Sequence, residues 1–167
     1  MNRVKQLPLL LLTTVMSLSA CGQVTFDEKM KQLYNGTVPL IQSKELAELE
    51  PDRVVLLDIR SEREYQVSHI SGARFIDYDK FEPEQVNDLA KDAKIVVYCA
   101  VGVRSERVGE QLLELGFVDV NNLYGGIFDW KNEGYPVIDK KSQPTERVHT
   151  YSKSWSKWLQ QGEKVYE

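Results

Sequence analysis

The fold follows from the stretch Ile95–Leu115, which reads IVVYCAVGVRSERVGEQLLEL. Its first four residues form a continuous apolar run, which is typical of a strand buried on both faces of a sheet. From Ser105 onward, apolar residues recur at helical spacing, so the second half predicts an amphipathic helix that ends at Gly116. A buried strand that passes directly into a helix is the repeating unit of parallel sheets.

The same alternation extends to both sides of this unit. Apolar runs predict the strands, and capped or amphipathic segments predict the helices between them. We predict strands at 38–42, 54–57, 73–76, 95–98 and 118–123. We predict helices at 27–34, 43–49, 81–89 and 105–115. Two further helices are predicted, one that starts at the Ser61 capping box and one that runs through Trp130 to Gly134. We therefore expect an α/β fold with a mainly parallel sheet of about five strands and helices on both faces.

The N-terminus has the pattern of an export signal. Two basic residues precede an apolar stretch at 7–18 that is too short to span a bilayer, and Leu-Ser-Ala-Cys follows at 18–21. This pattern resembles a bacterial lipoprotein signal, which is cleaved before a cysteine, here Cys21, that is then acylated. We expect an exported protein anchored by lipid on the periplasmic face of a membrane, and Gly22 resembles outer-membrane sorting. An ordinary secretory signal with an incidental cysteine is the alternative.

These patterns divide the chain into four parts. A signal peptide at 1–20 precedes the lipidated cysteine and a tether at 21–36, an α/β domain at 37–138 and a C-terminal extension at 139–167. In the extension, aromatic and apolar residues fall on one helical stripe, which predicts a helix. That helix either docks on the domain or contacts a membrane surface or a partner.

Charge and histidine content limit the possible partners. The 167 residues include 21 basic and 25 acidic side chains, and loss of Arg3 and Lys5 with the signal changes the net charge from -4 to -6. Because nucleic-acid binding needs a basic surface to neutralise phosphates, we expect no nucleic-acid partner. His69 and His149 lack the spacing of paired metal ligands, so we expect no metal site.

Cys99 is the candidate reactive residue. With Cys21 acylated it is the only free thiol, so it forms no intramolecular disulfide. It follows a predicted strand, at the edge where open α/β sheets bind ligands. The converging amides of the next loop and the positive end of the next helix lower the pKa of such a thiol. The loop residues predicted to bind substrate are Ala100, Val101, Gly102, Val103, Arg104 and Ser105. A buried structural cysteine is the alternative.

Four motifs resemble those of single-domain rhodaneses. They are LDIR at 57–60, HISGA at 69–73, YCAVGVRS at 98–105 and LYGG at 123–126 followed by Trp130. The resemblance implies a rhodanese-like domain and a sulfurtransferase without a cofactor. Cys99 would take a sulfane sulfur from a small anion such as thiosulfate, hold it as a persulfide, and pass it to a thiol or cyanide. The resemblance also implies that Arg104 binds the substrate anion or braces the loop through a carboxylate.

Two other functions remain open beside this one. A rhodanese-like module can bind sulfur or scaffold a partner with little turnover. Cysteine phosphatases share the fold, but their loop has five residues between cysteine and arginine, whereas four separate Cys99 from Arg104. The shorter loop suits a sulfur atom or a small anion better than a phosphate.

Four further residues are predicted to support the site rather than react. Asp58 and Arg60 are expected to tie neighbouring loops together through charge-assisted hydrogen bonds. Gly125 and Gly126 are expected to form a tight turn beside the Cys99 loop. His69 precedes a predicted strand in a turn, so we do not expect it to act as the general base.

Overall fold

The computed structural model describes residues 24–166, so the predicted signal peptide and Cys21 lie outside the described residues. The helices, in chain order, are α1 (Phe26–Leu33), α2 (Ser43–Ala47), α3 (Glu62–Val67), α4 (Val103–Glu114) and α5 (Gly126–Asn132). The strands are β1 (Leu40–Ile41), β2 (Val55–Asp58), β3 (Arg74–Phe75), β4 (Lys94–Tyr98), β5 (Asp119–Leu123), β6 (Val137–Ile138), β7 (Pro144–Thr145), β8 (Arg147–His149) and β9 (Glu163–Val165).

The central sheet has five parallel strands in the order β1-β5-β4-β2-β3. The predicted α/β fold with a five-stranded parallel sheet is therefore confirmed. β4 is the middle strand, and it pairs with β2 from Val55–Ile95 to Asp58–Tyr98. The residue after β4 therefore leaves the sheet at the centre of its carboxyl edge.

Alternate residues of β4 enter two separate cores because side chains of a strand point to opposite faces. Ile95 and Val97 pack on the face covered by α4. Val96 and Tyr98 pack on the other face, with α1, α2 and α5. Each large apolar side chain contributes roughly 1.5–3 kcal/mol on full burial. Helices on both faces therefore bury the strand that leads to Cys99.

One predicted helix does not form, and another begins earlier than predicted. The helix predicted at 81–89 is a single 3₁₀ turn at Pro83–Val86, in which Val86 alone is buried. Asn87 and Asp88 follow this turn, and their short polar side chains favour turns over helix because they compete for backbone hydrogen bonds. Helix α4 begins at Val103, two residues earlier than predicted, because Gly102 adopts a positive φ of 97° and caps it.

The helix predicted for the C-terminal extension is wrong. In the described part of the extension, β7 pairs antiparallel with β6, β8 pairs parallel with β9, and one 3₁₀ turn covers Ser156–Trp158. Strand pairing is favoured over a helix because it buries Val148 completely. Leu159, which follows the 3₁₀ turn, packs in the same core. Lys131 of α5 binds Glu146 at 2.8 Å, so the extension is packed on the domain.

Part of the predicted tether also belongs to the packed fold. Thr25 closes a capping box with Glu28, and α1 buries Met30 in the core. This helix lies within the range 21–36 that was predicted to be a tether. Among residues 24–166, every helix is too short or too polar to cross a membrane.

Candidate active site

Cys99 lies at the carboxyl end of β4, at the base of a small cavity. Its exposed fraction is only 1%, yet it contributes to the wall of a cavity of about 190 Å³. The other lining residues are Leu33, Ala100, Val101, Val103, Arg104, Tyr151 and Trp155. Most of these side chains are apolar, so the cavity that Cys99 borders is largely shielded from bulk water.

The loop after Cys99 curls around the sulfur. The N–H of Gly102 donates a hydrogen bond to Sγ of Cys99 at 3.1 Å. A Cβ at position 102 would collide with the Tyr34 side chain, and the φ of 97° also favours glycine. Gly102 therefore allows both the turn and the close contact with Tyr34, the residue that follows α1.

The pKa of Cys99 lies below its ordinary value. Burial by itself raises this pKa, but the positive charge of Arg104 and polar groups of Ser105 and Val101 near the sulfur lower it by more. These groups stabilise the anion, as expected for a thiol at the start of a helix. The site therefore favours a thiolate, the nucleophilic form of the side chain.

Arg104 is held by Glu64 of α3. Nη1 of Arg104 donates to Oε2 at 2.9 Å, and Nη2 donates to Oε1 at 2.7 Å. Burial raises the pKa of Glu64, but Arg104 outweighs it and lowers that pKa to about 2. Of the two arrangements predicted for Arg104, the structure has the brace to a carboxylate. The guanidinium also lies 5.4 Å from the ring centre of Tyr151.

The back of the loop is held by polar side chains from two other segments. The Tyr34 hydroxyl donates to the Val101 carbonyl at 2.6 Å and accepts from the Gly125 N–H at 2.9 Å. Nδ2 of Asn122 donates to the Gly102 carbonyl at 2.9 Å. These bonds satisfy the buried carbonyls behind the loop, so that the loop N–H groups can face the sulfur.

Gly125 and Gly126 form the turn that was predicted beside the Cys99 loop. Both have a positive φ, and a Cβ on Gly126 would collide with the Cys99 carbonyl. The Ile127 N–H donates to that carbonyl at 2.9 Å. The two loops therefore pack backbone to backbone, which only glycine permits here.

Asp58 and Arg60 form a buried ion pair that does not line the cavity. Nη2 of Arg60 donates to Oδ2 of Asp58 and to the Ser68 carbonyl, both at 2.6 Å. His69 is also outside the cavity, since its ring stacks on Tyr65 and its backbone pairs with Ile138. Within residues 24–166, no group of three or more metal-binding side chains is close enough to hold an ion.

Besides Leu33 in the cavity wall and Asn122 behind the loop, sequence reasoning missed four residues of this site. Glu64 was recognised only as part of a capping box, and Tyr34 only as the end of a helix. Tyr151 and Trp155 were assigned to a helical stripe that does not form. None of these four carries a local signal for its role, because each reaches the Cys99 loop or its cavity from a distant part of the chain.

Known proteins resemble the chain mainly over the domain that carries Cys99. The profile of the family described as Rhodanese-like domain matches residues 43–133. A tRNA uridine(34) hydroxylase of Cytophaga hutchinsonii is 41% identical over 83 residues, or 47% of this chain and 27% of that protein. The enzyme of the same name from Bacillus velezensis is 33% identical over 115 residues, or 59% of this chain and 35% of that protein. This chain therefore spans about a third or less of those relatives.

A solved structure agrees with the fold. A rhodanese-related protein from Thermoplasma volcanium is 32% identical and has a TM-score of 0.54. The match covers 60% of this chain and 97% of that one. The shared part is thus a complete domain in the other protein.

The relatives overturn the predicted reaction. The thiosulfate sulfurtransferase prediction is wrong, since the curated relatives are named as tRNA uridine hydroxylases. The scaffold alternative fits no better, because that name is the name of an enzyme. The expected sulfur donor and acceptor and the expected absence of a nucleic-acid partner are likewise unsupported. Net charge averages over the whole surface, so it does not exclude a local basic region.

Proposed function

The chain belongs to the rhodanese-like family, and on this basis we propose that it is an enzyme whose reaction runs through the Cys99 thiolate. The observation that carries the proposal is a sulfur of lowered pKa at the base of a reachable cavity, beside a fixed guanidinium. Relatives that share this domain are enzymes, which supports a catalytic role. A structural cysteine needs no such electrostatic support.

Each neighbour of the sulfur has a part in this proposal. The Gly102 N–H and the first turn of α4 stabilise the thiolate before attack. Arg104 adds a positive charge that the ion pair with Glu64 keeps in place. The apolar walls exclude water, which strengthens these interactions. The thiolate is then ready to attack an electrophilic atom of a substrate that enters the cavity.

We infer that uridine in RNA is the substrate class to test first. The name of the relatives supports it, and so do two features of the cavity. Tyr151 and Trp155 provide aromatic walls, on which unstacked bases commonly pack. Lys29 and Lys157 lie beside Trp155 in an adjoining cavity, where they can neutralise phosphate. The volume of about 190 Å³ is below the range of about 300–1,000 Å³ for drug-sized ligands, so it suits a single ring.

The thiolate is tested by alkylation of the full-length chain with iodoacetamide. We expect the rate at Cys99, followed by peptide mass mapping, to rise with pH and level off below the pKa of free cysteine, about 8.5. Cys99→Ser removes the modified peptide and serves as the control. A Cys99 that stays unmodified up to about pH 9 would refute the proposal.

The uridine substrate has a separate test. The unsubstituted chain or Cys99→Ser is expressed in a bacterium that lacks uridine 34 hydroxylation, and its tRNA is digested for mass spectrometry. Hydroxylation replaces a C–H hydrogen of uridine with OH, a two-electron oxidation, so the cell must supply the oxidant, either dioxygen together with a two-electron reductant or a peroxide. We expect one added oxygen on uridine with the unsubstituted chain and none with Cys99→Ser. Unmodified uridine in both strains excludes this substrate, whatever the alkylation result.

The export predicted from residues 1–21 is incompatible with a tRNA substrate, because tRNA stays in the cytoplasm. Lipidation at Cys21 remains a prediction, since those residues lie outside the described part of the chain. Metabolic labelling with palmitate, compared between the native chain and Cys21→Ala, separates the two. A labelled membrane fraction that is lost in Cys21→Ala supports export and excludes tRNA for the lipidated form, whereas an unlabelled soluble chain contradicts the lipoprotein prediction.

A further inference from the structure

The cavity above Cys99 is completed by residues that the family profile does not match. Leu33 comes from α1, and Tyr151 and Trp155 come from the extension, all outside 43–133. Thr150 and Leu159 are fully buried on either side of the two aromatic residues. The segment between them is therefore held in place over the sulfur rather than hanging free.

Tyr151 has an unusual backbone conformation for its residue type. Its φ is 63°, in the left-handed region that side chains other than glycine rarely adopt. Its side chain is 60% exposed, so burial does not compensate for that conformation. Its N–H donates to Nδ1 of His149 at 3.0 Å, and its ring lies over the Arg104 guanidinium. Strain that persists without a gain in core packing is typical of functional positions.

Trp155 forms the second aromatic part of the wall. It is half-buried and lines both the Cys99 cavity and the adjoining cavity that contains Lys29 and Lys157. An indole at the junction presents a broad apolar surface to any group that moves toward the sulfur. Together, Tyr151 and Trp155 border the route to Cys99 with aromatic rings.

We propose that Tyr151 and Trp155 form a specificity wall that admits flat ring groups to Cys99 in preference to small aliphatic ones. The proposal rests on the proposed function, since it takes Cys99 as the reacting group. Arg104 connects the two, because the same guanidinium stabilises the thiolate and lies under the Tyr151 ring. The wall is therefore set at a defined place relative to the nucleophile.

Two alkylating agents that share the same reactive group but differ in a ring test the specificity wall directly. Iodoacetamide and N-benzyl-iodoacetamide both form a carbon–sulfur bond at Cys99 while iodide leaves, and they differ in the ring. The preference is the rate with the benzyl reagent divided by the rate with iodoacetamide. We expect this preference to be about 5-fold to 10-fold higher for Cys99 in the unsubstituted chain than for free cysteine, which is the effect of one or two ring contacts. Tyr151→Ala and Trp155→Ala should each lower this preference, which is a ratio of two rates in the same chain and therefore cancels any change in thiolate reactivity that the substitution causes.

Three further variants separate recognition from folding. Tyr151→Phe keeps the ring and should keep the preference. Tyr151→Gly suits the positive φ, so it should leave the melting temperature unchanged or raise it while the preference falls. Tyr166→Ala removes another exposed tyrosine of the extension, outside the cavity, and should change neither quantity.

The outcomes keep this proposal distinct from the proposed function. Equal preference in the unsubstituted chain and free cysteine, with Cys99 still reactive, overturns the wall and leaves the thiolate proposal intact. A preference that survives in both alanine variants also overturns it. A thiol that reacts with neither reagent overturns the proposed function instead.

Discussion

Two arginines follow neighbouring strands of the sheet, and their surroundings differ sharply. Arg60 follows β2 and pairs with Asp58, and neither side chain has any exposed surface. Arg104 follows β4 and pairs with Glu64, and its side chain remains 22% exposed. The first pair is surrounded by backbone and core, whereas the second borders the Cys99 cavity. Both ion pairs are bidentate, but the Arg60–Asp58 pair holds loops together, whereas the Arg104–Glu64 pair keeps a positive charge beside the reactive site.

A third arginine pair extends the comparison to the surface. Nη1 of Arg74 donates to both carboxylate oxygens of Asp88, at 3.0 and 2.8 Å, but these side chains are 40% and 63% exposed. Because water screens exposed charges, similar distances should correspond to different energies. Burial, more than bond length, should rank the three pairs.

Asp58→Ala should have the largest effect of the changes considered. It leaves the Arg60 charge buried without its carboxylate, so we expect a loss of about 3–5 kcal/mol in the free energy of unfolding. Urea denaturation measures this loss. A loss below about 1 kcal/mol would contradict the structural role assigned to the pair.

The Glu64 carboxylate should make stability depend on acid. Its pKa falls from 4.5 to about 2 on folding, so its contribution is fully present above about pH 4.5 and is lost as the pH falls toward 2. The lowered pKa corresponds to roughly 3 kcal/mol. Denaturation curves at several pH values should show a steeper acid decline for the unsubstituted chain than for Glu64→Gln. Parallel curves would show that Arg104 does not hold this carboxylate in solution.

Arg104→Gln should slow the alkylation of Cys99 at neutral pH. Loss of the positive charge moves the pKa of the thiol upward, so a smaller fraction of Cys99 is thiolate at neutral pH. The rate at high pH, where the thiol is ionised in both chains, should stay similar. Arg104→Lys keeps a charge and should lie between the two. An unchanged pH profile in Arg104→Gln would mean that the loop amides alone ionise the sulfur.

Asp88→Ala should have the smallest effect. Since both partners are exposed, we expect a change of less than about 1 kcal/mol in unfolding free energy. The same urea measurement as for Asp58→Ala provides the matched comparison. A larger loss than that of Asp58→Ala would reverse the ranking by burial.

Local patterns predicted most of the sheet and failed where distant contacts decide the structure. The apolar run before Cys99 and the Ser61 capping box both formed as predicted. The aromatic stripe of the extension had helical spacing, but parallel pairing of β8 with β9 placed its residues otherwise. Periodicity describes one segment, and it cannot detect a competing partner strand.

The candidate site divides in the same way. Cys99, its loop and the two glycines at 125–126 could be found in the sequence because they are close together or part of a motif. Glu64 lies forty residues before Arg104, and Tyr34 lies sixty-seven residues before Val101, so neither contact had a local signal. The reaction itself was predicted wrongly, since a reactive cysteine in a loop of amides does not specify its substrate.

The sequence by itself determined the alternation of strands and helices and the place of Cys99 at the carboxyl end of a strand. Hydrophobic period and glycine positions are local properties of the chain, so they can be read in order. Only the tertiary structure decided which carboxylate holds Arg104 and which aromatic rings border the sulfur. Those contacts join segments far apart in the chain, and the free energy that selects them comes from burial and charge pairing in the folded state.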